Sequence, residues 1–137
     1  MNFFILDCSV TMSWCFENEK NKDSEQALYL LAKKKAIVPC IWTLEVINVL
    51  RVAERQNRIS SADSNTFISL LNTFPIEVDV NSDSLNRKIL DIIREHALSA
   101  YDAAYLELAI KYNAPLASFD KLLNKIAKKE GIEVLFQ

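Results

Sequence analysis

Short apolar runs alternate along the chain with longer stretches of helical period. Phe3-Phe4-Ile5-Leu6 is apolar without a break and stops at Asp7, the pattern of a strand buried on both faces. Ala36-Ile37-Val38-Pro39 predicts a second strand, closed by a proline that has no N–H for a ladder. A third is predicted over 76–80, where Ile76, Val78 and Val80 alternate with Glu77 and Asp79 behind Pro75. Residues 115–118 and 132–135 complete the set. Between them the spacing predicts helices over 23–35, 41–56, 60–72, 82–96, 100–112 and 120–129. Ser60 stands where an N-cap is wanted, and Leu85, Ile89, Ile92 and Ile93 recur at helical spacing. Gly131 follows the last helix as its C-cap.

This alternation predicts an α/β fold: a three-layer α/β/α sandwich with a mainly parallel, four- to five-stranded sheet and helices on both faces. The chain has 137 residues, the size of one domain that buries about two-thirds of its unfolded surface. A single domain over 1–135 is expected. One Gly and three Pro leave little room for linkers or a turn-dense all-β fold. The terminal Glu133-Val134-Leu135-Phe136-Gln137 also reads as the remnant of a tag-cleavage site, so residues 136–137 are treated as a tail without function.

Charge changes the picture little. The net charge of −2 does not advertise a nucleic-acid binder, and the lysine clusters at 33–35 and 121–129 read as solvated helix faces. Cys8, Cys15 and Cys40 form no C-x-x-C pair and sit in apolar segments, which points to a reducing cytoplasm and away from disulfides or zinc. The N-terminus lacks a basic region, and no run approaches the ~18 apolar residues of a membrane span. A cytoplasmic protein without membrane contact is expected.

Candidate chemistry lies in the acids. In open α/β sheets ligands bind beyond the carboxyl ends of the strands, and Asp7 and Asp120 occupy such places. Asp7 follows four large apolar residues, so its carboxylate needs a partner or a cation. Glu45 sits in an apolar helix between Ile41, Val49 and Val52, an unusual setting for a solvated charge; the competing account is a buried ion pair. Asn48, at i+3, shares its face and is a candidate to orient it. Asp102 and Asp120 each have an ordinary explanation as helix-capping acids. Acids gathered at one sheet edge repel unless cations neutralise them. An all-oxygen site suits Mg²⁺ or Mn²⁺, ions that can support phosphodiester hydrolysis.

The sequence resembles PIN-domain proteins, specifically the VapC-type toxin ribonucleases. The resemblance rests on Ile5-Leu6-Asp7-Cys8-Ser9-Val10 with Trp14, on Pro39 with Trp42 through Leu50, on Leu98 through Ala109, and on Leu116-Ala117-Ser118-Phe119-Asp120-Lys121. Tyr101-Asp102-Ala103-Ala104-Tyr105 is the most specific of these blocks. The resemblance implies an acidic quartet of Asp7, Glu45, Asp102 and Asp120 that binds Mg²⁺ or Mn²⁺ and cuts RNA. Ser9 and Ser118 fall where the family carries hydroxyls beside the metal, Ser118 standing where Thr is common. It further implies a homodimer, silenced by a small antitoxin protein.

His96, the only histidine, reads as a helix-end residue. Trp14 and Trp42 read as core, Tyr101 and Tyr105 as packing, and Arg51, Arg55 and Arg58 as surface. A receiver domain needs a phosphoacceptor Asp just past the third strand, whereas Asp79 falls inside it. A haloacid-type phosphatase needs Asp where Ser9 stands. A metal-free PIN-like scaffold would lack a quartet acid, and a PIN nuclease of housekeeping RNA processing stays open.

Overall fold

The computed structural model describes residues 2–80 and 85–136 of the chain. Its elements are β1 (Phe3–Leu6), α1 (Cys8–Ser13), a 3₁₀ turn (Glu17–Glu19), α2 (Lys22–Leu30), β2 (Lys35–Val38), α3 (Ile41–Arg55), α4 (Ser61–Leu71), β3 (Ile76–Val78), α5 (Arg87–Glu95), α6 (Ala100–Tyr112), β4 (Leu116–Ala117) and α7 (Lys121–Lys129). The four strands form one parallel sheet in the order β3-β2-β1-β4. The chain thus builds outward from β1 to β3 and then returns to the other side of β1. The crevice between β1 and β4 is where strand order reverses, the position at which such sheets bind ligands.

β1 is buried because both its neighbours are strands and helices cover it: Phe4, Ile5 and Leu6 are wholly inaccessible. Helix α6 lies across β1, β2 and β4 with α5 and α7 beside it, while α1, α2 and α3 form a second packed group. Along α3, Trp42, Val46, Leu50 and Ala53 make the buried stripe, a spacing of one helical face. Trp42 donates its indole N–H to the Thr11 hydroxyl at 3.0 Å, and Trp14 donates to the Ser24 carbonyl at 2.8 Å. Trp42 is a core residue as expected, while Trp14 is half-buried against the edge of the core.

Local sequence sets the element ends. Ser60 caps α4 in a reciprocal box with Asp63, satisfying two N–H groups that the first turn leaves open. Gly131 adopts φ +80, a conformation costly for any residue with a Cβ, and its N–H and that of Ile132 close α7 on Lys128 and Ala127. Pro75 and Pro115 precede β3 and β4 and lend their carbonyls to Ala36 and Ile5.

Several expectations need correction. Residues 132–135 form no fifth strand: only Val134 bridges to Leu116, through bonds from Leu116 N–H to Glu133 and from Leu135 N–H to Leu116. The third strand stops at Val78, and Asp79 turns inward onto α6, where it accepts from Lys111 Nζ at 3.1 Å and Tyr112 OH at 2.7 Å. The expected 82–96 helix begins at Arg87, Leu85 is fully exposed, and residues 82–84 lie outside those described. The expected 23–35 helix ends at Leu30, because Lys35 already pairs with β1. Helix α1, directly after Asp7, carried no clear signal in its short sequence.

Candidate active site

Four chain segments deliver acids to the carboxyl edge of the sheet. Asp7 is the residue after β1 and the N-cap of α1, held beside β4 by its N–H bond to Ala117 at 3.0 Å. Asp120 follows β4 and caps α7. Glu45 stands one turn into α3, which begins three residues after β2, and Asp102 lies in the first turn of α6. Asp120 caps α7 as expected, whereas at α6 the cap is the Ser99 hydroxyl, which accepts the Asp102 N–H at 3.1 Å, and Asp102 closes no reciprocal box; both acids nonetheless sit at helix starts beside the crevice. The acids are near enough to act on one another: Asp120 raises the pKa of Asp7 and of Asp102, and Asp7 and Asp102 raise that of Glu45.

Asp7 is 6% exposed. Ser9 Oγ donates to its Oδ2 at 2.6 Å and Ser118 Oγ donates to the same oxygen at 2.8 Å. Each hydroxyl also accepts a backbone N–H from the β4–α7 loop: Phe119 to Ser9 and Asp120 to Ser118, both at 3.0 Å. The two serines thereby fasten the loop that carries Asp120 to the carboxylate of Asp7. Asn124, buried on α7, steadies the loop from below by donating to the Ser118 carbonyl at 2.9 Å. Asp120 Oδ1 accepts the N–H of Leu123 at 3.0 Å.

Burial pushes the Asp7 carboxyl above the ordinary range, and the serine hydrogen bonds only partly offset it. Burial likewise raises Glu45 against the lowering effect of the Tyr105 hydroxyl. Burial raises Asp102 too, with Asp120 and Asp7 adding repulsion. Three acids that lose by ionising, in one place, form a site where a cation gains more than elsewhere on the surface. No basic side chain is among the influences on these three, so the buried ion pair that competed for Glu45 is not how this carboxylate is satisfied. Cys8 lies among the acids, and its thiol is pushed up to about 12 by burial and by Glu45 and Asp7, so it stays protonated.

The structure separates two tyrosines that sequence treated alike. Tyr101 is 61% exposed and lines an open groove of about 680 Å³ with Ile41, Leu44, Glu45, Ile47, Asn48 and Arg51. Tyr105 is inaccessible, and its hydroxyl donates to Glu45 Oε1 across 60 residues of sequence. Asn48 lies exposed in the groove; the hydrogen bond that Glu45 receives comes from Tyr105. The only sequence signal for that role is its place at i+3 from Asp102, on the same side of α6.

Among the described residues, one trio of ligand-type atoms lies within 4.8 Å, and it is elsewhere: Glu95, His96 and Glu130. His96 caps α5, and its Nε2 lies 2.9 Å from Glu130 at the end of α7, a contact that ties two helix ends. No three of the crevice acids bring ligand atoms within that distance of one another.

The fold is shared with solved structures of low identity. PAE2754 from Pyrobaculum aerophilum superposes with a TM-score of 0.70 at 20% identity, covering 96% of this chain and 83% of that one. FitAcB from Neisseria gonorrhoeae gives 0.67 at 17% identity, covering 97% and 96%. VapBC2 from Rickettsia felis, bound to a DNA fragment from its promoter, gives 0.65 at 13% identity, covering 96% of each chain. No curated protein matches the chain by sequence. The family model of the PIN domain matches residues 4–129, from the first strand to the end of α7, and the chain belongs to the PIN-domain family.

Proposed function

We propose that this protein is a divalent-metal-dependent endoribonuclease and the toxin of a toxin–antitoxin pair. The observation that carries the reading is the group of three carboxylates, Asp7, Glu45 and Asp102, whose charge the fold itself disfavours, beside Asp120 at the strand-order reversal. Membership of the PIN-domain family supports nuclease activity, and the likeness to VapBC2 and FitAcB supports a toxin.

The donor set fits Mg²⁺ or Mn²⁺: Asp7, Glu45, Asp102 and Asp120 offer only carboxylate oxygens, the ligands these hard ions take. Asp7, Glu45, Asp102 and Asp120 would hold the ion. When bound, it would supply charge stabilisation and an activated water for in-line attack on a phosphodiester. The protein's own part is preorganisation. Ser9 and Ser118 spend their protons on one oxygen of Asp7, which fixes the carboxylate before substrate arrives and avoids reorganisation later. The open groove beside Glu45 gives an extended strand access, with Asn48 and Arg51 along its wall. Its apolar wall of Ile41, Leu44 and Ile47 suits a small protein partner that would cover the site. A homodimer acting in the cytoplasm completes the proposal; no helix among the described residues is long and apolar enough to cross a membrane.

The test is cleavage of a labelled single-stranded RNA by tag-free protein. Activity should require Mg²⁺ or Mn²⁺, and Asp7→Asn and Asp102→Asn should each abolish it while the circular dichroism spectrum is unchanged. Equal cleavage by Asp7→Asn would sink the assignment.

A further inference from the structure

We propose that Tyr105 is a positioning residue of this site: its hydroxyl holds Glu45 so that one carboxylate oxygen is committed to the protein and the other is presented to the cation. The proposal rests on the metal-dependent ribonuclease reading and adds to it a residue outside the acidic quartet and its serines.

Packing alone does not account for Tyr105. Its ring is fully inaccessible within the core, next to Leu106 and Leu108 on α6. A phenylalanine would fill the same space, and a buried hydroxyl is costly unless bonded. The hydroxyl's bond goes to Glu45 Oε1 on α3. That partner is itself an acid raised by burial, and the bond runs against this by favouring the charged form. The phenol donates and the carboxylate accepts, so the bond ties α6 to α3 across 60 residues of sequence.

The neighbouring acids follow the same plan. Asp120 Oδ1 is taken by the N–H of Leu123, and Asp7 Oδ2 by Ser9 and Ser118. In each of the three, one named oxygen is fixed by donors from the protein. Glu45 has the longest side chain and therefore the most rotamer freedom to lose. Its donor comes from the helix that also carries Asp102, three residues earlier. Helix α6 thus delivers one ligand and orients another.

The experiment compares Tyr105→Phe, Glu45→Gln and the double variant in the full-length protein. It reads RNA cleavage at saturating Mg²⁺, Mn²⁺ affinity by titration calorimetry without RNA, and the thermal midpoint. Tyr105→Phe should remain folded, lose about ten- to a hundredfold in kcat, the worth of one hydrogen bond to a charged group, and leave KM for RNA nearly unchanged. Its Mn²⁺ affinity should fall as well. Because Tyr105 acts through Glu45, the double variant should be no slower than Glu45→Gln. The double variant removes donor and charge together, so it decides the matter even where the single variant folds poorly. Wild-type rate and Mn²⁺ affinity in Tyr105→Phe, or the same loss on the Glu45→Gln background as on wild type, would overturn this role alone. Wild-type protein that neither cleaves RNA nor binds Mn²⁺ would overturn the ribonuclease reading with it.

Discussion

Asp7→Asn should make the metal-free protein more stable while removing its activity. Asp7 is buried, and its carboxyl is raised chiefly because burial penalises the charge. In the variant, the amide oxygen can still accept from Ser9 and Ser118, now as neutral hydrogen bonds that are each weaker by about 1 kcal/mol. Against that loss stand the removed desolvation cost and the removed repulsion from Asp120. The raised pKa says that these outweigh the hydroxyl bonds, since each unit of upward shift is about 1.4 kcal/mol favouring the uncharged form. Each kcal/mol of net gain would appear as about 3 °C in Tm for a chain of this size. The sign can be checked with pH. A carboxyl raised in the folded state contributes stability that is full below its unfolded value near ~4 and lost as pH rises through the folded value. The advantage of the variant should therefore be absent below about pH 4, where both chains are uncharged at this site, and grow toward neutrality. Differential scanning calorimetry in chelator across that range measures it. A variant less stable than wild type at neutral pH without metal would refute the reasoning, because it would mean that the ionised Asp7 is favourable on balance.

Mg²⁺ should raise the Tm of wild type, by an amount equivalent to about 2.7 kcal/mol at one hundred times its Kd, and should leave Asp7→Asn nearly unmoved in the same scan. Cation binding competes with protons on acids that are already raised, so the Mg²⁺ concentration needed for half-maximal cleavage should climb as pH falls below neutral; a flat requirement from neutral to mildly acidic pH would count against it. Ser118→Ala removes a donor to Asp7 and leaves the N–H of Asp120 without its acceptor, which should cost about 1–3 kcal/mol in urea unfolding together with a loss of activity per folded molecule. Phe4→Ala, at the centre of the sheet, should cost about 3–5 kcal/mol and spare the chemistry of whatever fraction stays folded.

The layered architecture was legible because the strands that matter most are also the most buried. Phe3–Leu6 and Ala36–Val38 stand out as unbroken apolar runs, and β1 and β2 lie at the centre of the sheet. The elements misjudged are the ones that tertiary contacts decide. The 132–135 segment has the alternation of a strand but bonds at only one bridge, and Asp79 is drawn out of β3 by Lys111 and Tyr112, which are distant in sequence. The site divides along the same line. Glu45 on its apolar helix and Asp7 at its strand end were conspicuous because their burial shows in the flanking residues. Ser9, two residues from Asp7, and Ser118 entered through the family resemblance. Tyr105 was hidden because a core tyrosine looks like any core aromatic until the carboxylate beneath its hydroxyl is known. Asn48, chosen by helical spacing, turned outward into the groove, since i+3 places a residue beside Glu45 without saying which of them faces the core.

The claim beneath all of this is that the crevice acids, though more widely spaced than the Glu95–His96–Glu130 trio, are the cation site. Anomalous diffraction from crystals soaked in MnCl₂ tests it most directly. A peak is expected among the carboxylates of Asp7, Glu45, Asp102 and Asp120. A well-ordered crystal with no peak there, or with its only peak at His96, would contradict it.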